Sequence, residues 1–281
     1  LVIVGETASG KSALAMRLAQ KFNGEIIACD ARTIYRGMDI GTAKPSPKDR
    51  QQVVHHLIDE LDLGEPITAA LFKEKAQSAI NDIVERGKLP IVVGGSGLYV
   101  DSLVFNYDFN VRADAQERAR LGQLTVEQLQ AELLARGLPL PENSRNPRHL
   151  IRAIETAGRQ ATKGSLRPNT LLIGTTVERE VLQQNITVRT DAMLAAGLEN
   201  EVKRLVKRYG WNEQLRQTIG YKEFEKYLGN DETLDQVRTA IVRDTMAYAK
   251  RQRTWFRRNP AIMYPSNQEQ AVDLVTTWLN K

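Results

Sequence analysis

The chain opens on LVIVGETASGKSALAMRLAQK, in which a short apolar run breaks into a glycine-bounded turn and Leu14, Ala15, Leu18 and Ala19 then recur at helical spacing. Gly5, Glu6, Thr7, Ala8, Ser9, Gly10, Lys11 and Ser12 match G-x-x-x-x-G-K-[ST] in the context that motif needs, a strand before it and a helix after it. No other stretch restricts the fold as tightly. The glycines let the backbone curl so that successive N–H groups point inward, and the helix N-terminus adds partial positive charge. Lys11 is placed to reach terminal phosphates and Ser12 to hold Mg²⁺ through its hydroxyl. The plain alternative is a glycine turn capped by Ser12. The motif names a ligand, a di- or triphosphate, and leaves the reaction open, since kinases, nucleotide hydrolases and other transferases share it.

Further apolar runs at residues 25–29 and 89–93 flank a helical stretch at 69–86 that Gly87 closes. This alternation predicts an α/β fold, a parallel sheet covered by helices around the phosphate loop. Residues 113–164 change character to charged helical stretches without a convincing strand, and TLLIGTTV at 170–177 has strand composition again. The expected organisation is a discontinuous core, 1–112 and 165–281, with an all-helical insertion at 113–164. With 42% apolar and 26% charged residues the chain can bury a sizeable core. Cys29 stands alone, so there is no internal disulfide, and no apolar run of about 18 residues occurs, which makes a soluble cytoplasmic protein the expectation. The chain lacks an initiator Met, and a short missing leader is expected.

The formal charge of +5 is too small to require a nucleic-acid partner. Its location says more. Residues 243–258 hold six basic side chains and one acidic, so this segment accounts for the whole excess. Tyr248, Trp255 and Phe256 interleave with Lys250, Arg251, Arg253, Arg257 and Arg258, and helical spacing predicts aromatics on the core with cations outward. Either a solvated amphipathic helix or an RNA-facing surface follows from that pattern.

Asp30 ends the second apolar run, at the carboxyl edge where open α/β sheets bind ligands. A carboxylate there can hold Mg²⁺ through water, act as a base, or cap the segment 31–35.

CDARTIYRGMDIGTAKP at 29–45, HHLID at 55–59, VGGSGLYV at 93–100, IGYKE at 219–223 and AKRQRTWF at 249–256 together resemble the bacterial tRNA dimethylallyltransferases, also called tRNA isopentenyl transferases. Five blocks in one order span nearly the whole chain. The resemblance implies transfer of a dimethylallyl group from dimethylallyl diphosphate to N6 of the adenosine 3′ of the anticodon, in tRNAs reading codons that begin with U. The phosphate loop then binds the prenyl donor and no nucleoside triphosphate is consumed. It further implies Asp30 as the base, with Lys11, Arg189 and Mg²⁺ on Ser12 stabilising the departing diphosphate.

For tRNA, the resemblance points to Asp30, Ala31, Arg32 and Thr33, to Ser96, and to Arg118. It also points to Arg148, His149, Leu150, Ile151 and Arg152, and to Gln217, Thr218, Ile219, Gly220, Tyr221 and Lys222. The expected partners are the tRNA anticodon stem-loop and the prenyl donor, with no membrane and the chain acting as a monomer. Read without the resemblance, the arginines of 113–164 lie in solvated charged helices, although Arg148 and Arg152 repeat like charge at i,i+4 and so favour an anionic partner. His55 and His56 read as packing or capping residues. The glycines at 94–95 either bind phosphate or allow a close backbone approach.

Several positions depart from the family pattern: Glu6 for proline, Ser12 for threonine, Ala31 for serine, and Asn185 and Met246 for arginines. Glu6 would place negative charge near a diphosphate, and two cations near the donor or tRNA site would be missing. The rival readings are a small-molecule kinase, a non-catalytic tRNA-binding protein, and a prenyl transferase acting on free adenosine nucleotides.

Overall fold

Val2–Gly5 (β1) lies inside a six-stranded sheet in which every pairing is parallel. The computed structural model describes residues 1–109, 114–159 and 162–281. After β1 come α1 (Lys11–Lys21), β2 (Gly24–Cys29), α2 (Pro47–Gln52), β3 (His55–His56), α3 (Ala69–Glu85), β4 (Leu89–Gly94) and α4 (Gly97–Val104). Three helices follow, α5 (Ala115–Leu121), α6 (Val126–Ala135) and α7 (Pro147–Glu155). The chain then supplies β5 (Leu172–Thr175), α8 (Arg179–Ala195), α9 (Leu198–Tyr209), α10 (Glu213–Gln217), α11 (Phe224–Leu228), α12 (Leu234–Phe256), β6 (Ile262–Met263) and α13 (Gln268–Leu279).

The strand order β3-β2-β4-β1-β5-β6 puts β1 between β4 and β5, with Ile3 in register with Val93 and Ile173. The connection after β1 runs to one side of the sheet and β5 returns on the other, so the loop after β1 sits where ligands of such sheets bind. This is the expected α/β class. Two edge strands, β3 and β6, were not predicted, because two residues carry no alternation to read.

The chain divides into two compact units, Leu1–Val104 with Pro168–Lys281, and Phe105–Arg167. The boundary expected at 112–113 lies outside the described residues. The core of the first unit gathers Leu14, Ala15, Leu18 and Ala19 of α1 with Ile3, Ile26, Ile91 and Ile173 of the strands and Ala271, Val272 and Val275 of α13. A second cluster buries Tyr35, Met38, Leu198, Val202, Leu205, Tyr221, Phe224 and Ile241. Within it, Glu201 is 3% exposed and accepts from the backbone N–H groups of Asp39, Ile40 and Gly41 and from the Tyr221 hydroxyl. These bonds satisfy a buried carboxylate and fix the loop that delivers Thr42 to the site.

His56 and His55 are held by polar contacts, and His55 also borders the phosphate-loop cavity. His56 Nε2 lies 2.7 Å from the buried carboxylate of Glu25, which also meets Arg86 and Lys88, and His55 Nδ1 lies 2.8 Å from the Val53 carbonyl. Hydrogen bonding from Arg86 first, and from Lys88 and His56 after it, holds the Glu25 carboxyl well below the usual carboxylate range. In the second unit, Leu121, Leu129, Leu133, Leu150 and Ile154 form a small core of their own.

Candidate active site

The glycine-bounded loop leaves β1 and enters α1 through Gly10, whose φ of +89° favours glycine. No side chain caps α1, whereas Thr68, Thr125 and Thr233 accept backbone N–H bonds at the starts of α3, α6 and α12. The first-turn donors of α1 are left for an anion. They border a cavity of about 520 Å³ lined by Thr7, Ala8, Gly10, Lys11 and Ser12, with Asp30 on its edge. Lys11 Nζ donates to the Glu6 carbonyl at 2.5 Å. Burial, and after it the charge of Arg189, push Lys11 down to about 8 against the opposing pull of Asp30.

Other loop residues turn away from this cavity. Ser9 Oγ donates to the Glu6 carbonyl at 2.7 Å and lies 2.6 Å from Thr175 Oγ1, so it braces the loop. The Glu6 side chain is 1% exposed and is paired with Arg253. The expected negative charge beside the diphosphate is therefore absent, because the carboxylate is buried behind the loop and neutralised there.

A second cavity of about 520 Å³ adjoins the first, and Thr7, Asp30, Thr42, Arg189 and Tyr248 line both. Its walls include Ala31, Arg32, Ser96, Gln217, Thr218, Ile219, Gly220 and Lys222, residues that lie far apart in sequence. Asp30 Oδ1 accepts from the N–H groups of Arg32 at 2.7 Å and Thr33 at 3.4 Å. It caps the segment with that oxygen, and Oδ2 has no hydrogen-bond partner among the described residues. Arg189 Nη1 donates to Thr7 Oγ1 at 3.0 Å, and burial lowers its affinity for a proton while Asp30 opposes the shift. The Thr33 hydroxyl, on a residue 8% exposed, has no hydrogen-bond partner among the described residues.

Two expected departures have structural consequences. Asn185 Nδ2 donates to the Ala8 carbonyl at 3.1 Å, so it supports the loop without adding charge. Met246 packs on the cluster of Leu182, Ile186 and Ala249, leaving an apolar surface there. The glycines that end β4 answer to close approach: a Cβ on Gly94 would fall 1.9 Å from the Cys29 carbonyl.

Two proposed tRNA residues need correction as side-chain contacts. Tyr221 is fully buried with its hydroxyl on Glu201, and Leu150 is fully buried in the helical unit. Both are buried anchors, Tyr221 with a polar tip, and the motif strings that named them could not separate inward from outward positions. Arg118, Arg148, His149, Ile151 and Arg152 belong to the second unit, described by itself. There the carboxylate of Glu155 lies 3.2 Å from Arg118 and 3.4 Å from Arg152, which offsets the like-charge repeat.

The site also contains residues that sequence reading did not assign to it: Thr42, Asp244 and Tyr248. Tyr248 carried a weak signal as an aromatic in the basic stretch. Burial, then the nearby Asp30 charge, pushes its hydroxyl up to about 12, so it stays protonated. No group of three His, Cys, Asp or Glu side chains suited to a metal occurs among the described residues. The oxygens of Ser12 and Asp30 do line one cavity, a hard-donor set that suits Mg²⁺ when completed by ligand oxygens and water.

A model of the family described as IPP transferase matches residues 33–259. The tRNA dimethylallyltransferase of Roseiflexus sp. (strain RS-1) is 39% identical, over 100% of this chain and 98% of that relative. The chain belongs to the IPP transferase family. Its relatives are tRNA dimethylallyltransferases, among them that of Streptococcus equi subsp. equi, 41% identical over 96% of this chain and 93% of its own. The full-length tRNA isopentenylpyrophosphate transferase from Bacillus halodurans superposes with a TM-score of 0.77 at 35% identity, covering 99% of this chain and 96% of that one. A eukaryotic dimethylallyltransferase acting on tRNA gives 0.80 at 27% identity, covering 99% and 79%.

In this IPP transferase the depressed Lys11 predicts how anion binding responds to pH. A bound diphosphate favours the charged ammonium, so the bound pKa lies above the free value of about 8. The lysine's contribution to affinity is therefore full below about pH 8 and falls above it, approaching about tenfold per pH unit until the bound lysine also titrates. Calorimetry of dimethylallyl diphosphate without tRNA, in two buffers of different ionisation enthalpy, should detect proton uptake in that window. Binding that is independent of pH there would refute the desolvated lysine.

Proposed function

We propose that this chain transfers a dimethylallyl group from dimethylallyl diphosphate to N6 of the adenosine 3′-adjacent to the anticodon in tRNAs reading U-initial codons, giving N6-isopentenyladenosine. One observation carries the reading: a phosphate-loop cavity and a second cavity meet at Asp30 and Arg189. The diphosphate lies on the loop, the prenyl chain points to the junction, and the target adenine enters from the second cavity. Adenine N6 is a poor nucleophile because its lone pair is delocalised into the ring, so a positioned base matters. As N6 attacks C1 of the prenyl chain, Asp30 Oδ2 takes the N6 proton. The C1–O bond breaks and its electron pair leaves with diphosphate. Lys11, Arg189 and the open N–H groups of α1 stabilise the charge that collects there. Ser12 would hold a Mg²⁺ ion, whose chemistry there would be Lewis-acid stabilisation of that leaving group.

An adenine stacked in a loop must turn out of the stack to reach such a site. Ala31, Arg32, Ser96, Gln217, Thr218, Ile219, Gly220 and Lys222 line the cavity that would receive it, and Lys222 lies 2.5 Å from Asp244 on the same wall. In this reading the discontinuous core performs the chemistry and the helical insertion, through Arg118, Arg148 and Arg152, adds contacts to the anticodon stem-loop. No described helix is long and apolar enough to cross a membrane. A cytoplasmic monomer belongs to the same reading.

Mass analysis of nucleosides from unmodified tRNA, treated with the protein, donor and Mg²⁺, tests it directly. Prenylated adenosine is expected at the position after the anticodon. Its absence, together with ATP-dependent phosphorylation of a metabolite, would replace the proposal with a kinase. Prenylation of AMP in preference to tRNA would move the acceptor to free nucleotides.

A further inference from the structure

We infer that Arg253 is a positioning residue for the phosphate loop and serves the donor diphosphate through Glu6. The inference rests on the reading of that loop as the donor site. Arg253 Nε donates to Glu6 Oε2 and Nη2 to Glu6 Oε1, both at 2.6 Å, and Nη2 also donates to the Val177 carbonyl at 2.8 Å. One guanidinium thereby joins the loop after β1, the segment between β5 and α8, and helix α12. The preceding residue adds a second tie. The Thr7 N–H donates to Gln252 Oε1 at 2.8 Å, and Gln252 Nε2 donates to the Gly95 carbonyl at 3.0 Å. A Cβ on Gly95 would fall 2.0 Å from that Nε2, so glycine is what lets the glutamine reach in.

The chemistry explains why the pair has to exist. A carboxylate with 1% exposure, inside a loop that must accept an anion, is costly unless neutralised, and a planar guanidinium fork meets both its oxygens. The Glu6 backbone is also a hub, since its carbonyl accepts from Ser9 Oγ and from Lys11 Nζ. Displacing Glu6 therefore displaces the lysine that reads the phosphates. On the same helix α12, Tyr248 and Arg251 line the second cavity. The same helix thus holds the donor loop from behind while facing the acceptor. This corrects the expectation that Arg253 turns outward with Arg251 as an RNA-facing cation: of the basic stretch, Lys250, Arg251, Arg257 and Arg258 are exposed, whereas Arg253 is turned into the fold.

Direct binding separates this role from an RNA contact. Inorganic diphosphate is titrated calorimetrically, and tRNA binding is measured across a salt series, for Arg253→Met, Arg253→Lys and the double variant Glu6→Gln/Arg253→Met. Arg253→Met should weaken diphosphate about tenfold to a hundredfold, by misplacing the loop. Its tRNA affinity and salt slope should not change. Arg253→Lys keeps the charge but loses the fork, so it should also weaken diphosphate. The double variant should regain most of the loss, because no lone buried carboxylate remains.

Unchanged diphosphate binding in both single variants would overturn the inference. So would a salt slope smaller by about one in Arg253→Met with Arg253→Lys behaving as wild type, the signature of a phosphate contact. Thermal unfolding with and without diphosphate confirms that each variant compared is folded, and Arg253→Lys serves if Arg253→Met is not. A wild-type protein that binds diphosphate through Lys11 but prenylates no RNA would overturn the proposed function and leave this inference standing.

Discussion

Asp30→Asn should lower kcat for prenyl transfer by about 10²–10⁴-fold, the range associated with loss of a positioned general base. The substitution is chosen because of what it preserves. Asp30 Oδ1 caps the following segment by accepting from the N–H groups of Arg32 and Thr33, and an amide oxygen can accept the same two bonds. The turn should therefore hold, and tRNA affinity with it. What disappears, in the proposed mechanism, is the ability of the second oxygen to take a proton from N6. There is an electrostatic signature as well. The Asp30 charge pulls the pKa values of Lys11 and Arg189 upward, so removing it lets Lys11 fall further below about 8. The pH at which donor binding begins to weaken should move down in the variant. Single-turnover rates with saturating donor and tRNA, measured below that pH, isolate the chemical step. A loss of less than about tenfold would assign the base elsewhere.

Lys11→Met should cost kcat/KM for the donor about 10²–10³-fold, a loss on the scale of removing one preorganised donor from a site of developing negative charge. Methionine keeps an unbranched stem and removes the ammonium. Because the free enzyme carries Lys11 and Arg189 close enough to depress Lys11, losing one cation relieves repulsion on the other, and binding of the ground-state diphosphate is partly compensated. The transition state has more charge to stabilise, so kcat should fall more than KM rises. The pH dependence of donor binding centred near 8 should vanish, since its titrating group is gone. Affinity for tRNA, measured without donor, should be unaltered. A variant that loses tRNA binding to the same extent would mean that Lys11 organises both cavities.

The two residues behind these predictions were legible for a local reason. Lys11 and Asp30 each lie within a few residues of the strand end that positions them, so motif and strand reading together place them at the carboxyl edge of the sheet. Arg189 and the 217–222 segment became visible only through the family resemblance, because about 160–200 residues separate them from Asp30. Asp244 showed no signal of site membership and Tyr248 only a weak one, since nothing in a helical pattern says which cavity its face will border. Tyr221 and Leu150 failed in the opposite sense. A contiguous motif assigns its whole string to the ligand, but in a helix or turn successive side chains point in different directions, and these two point inward.

The sequence by itself determined the α/β class, the phosphate loop and the carboxylate facing it, because each depends on interactions within one strand-turn-helix unit. It also located the surplus charge in residues 243–258. Only the tertiary structure decided how that charge is used. Periodicity can separate the faces of a helix, yet it cannot tell which face meets a buried carboxylate contributed by a loop nearly 250 residues away. Burial without a partner is costly for Glu6, so the fold turns Arg253 inward to meet it and leaves Lys250, Arg251, Arg257 and Arg258 to solvent.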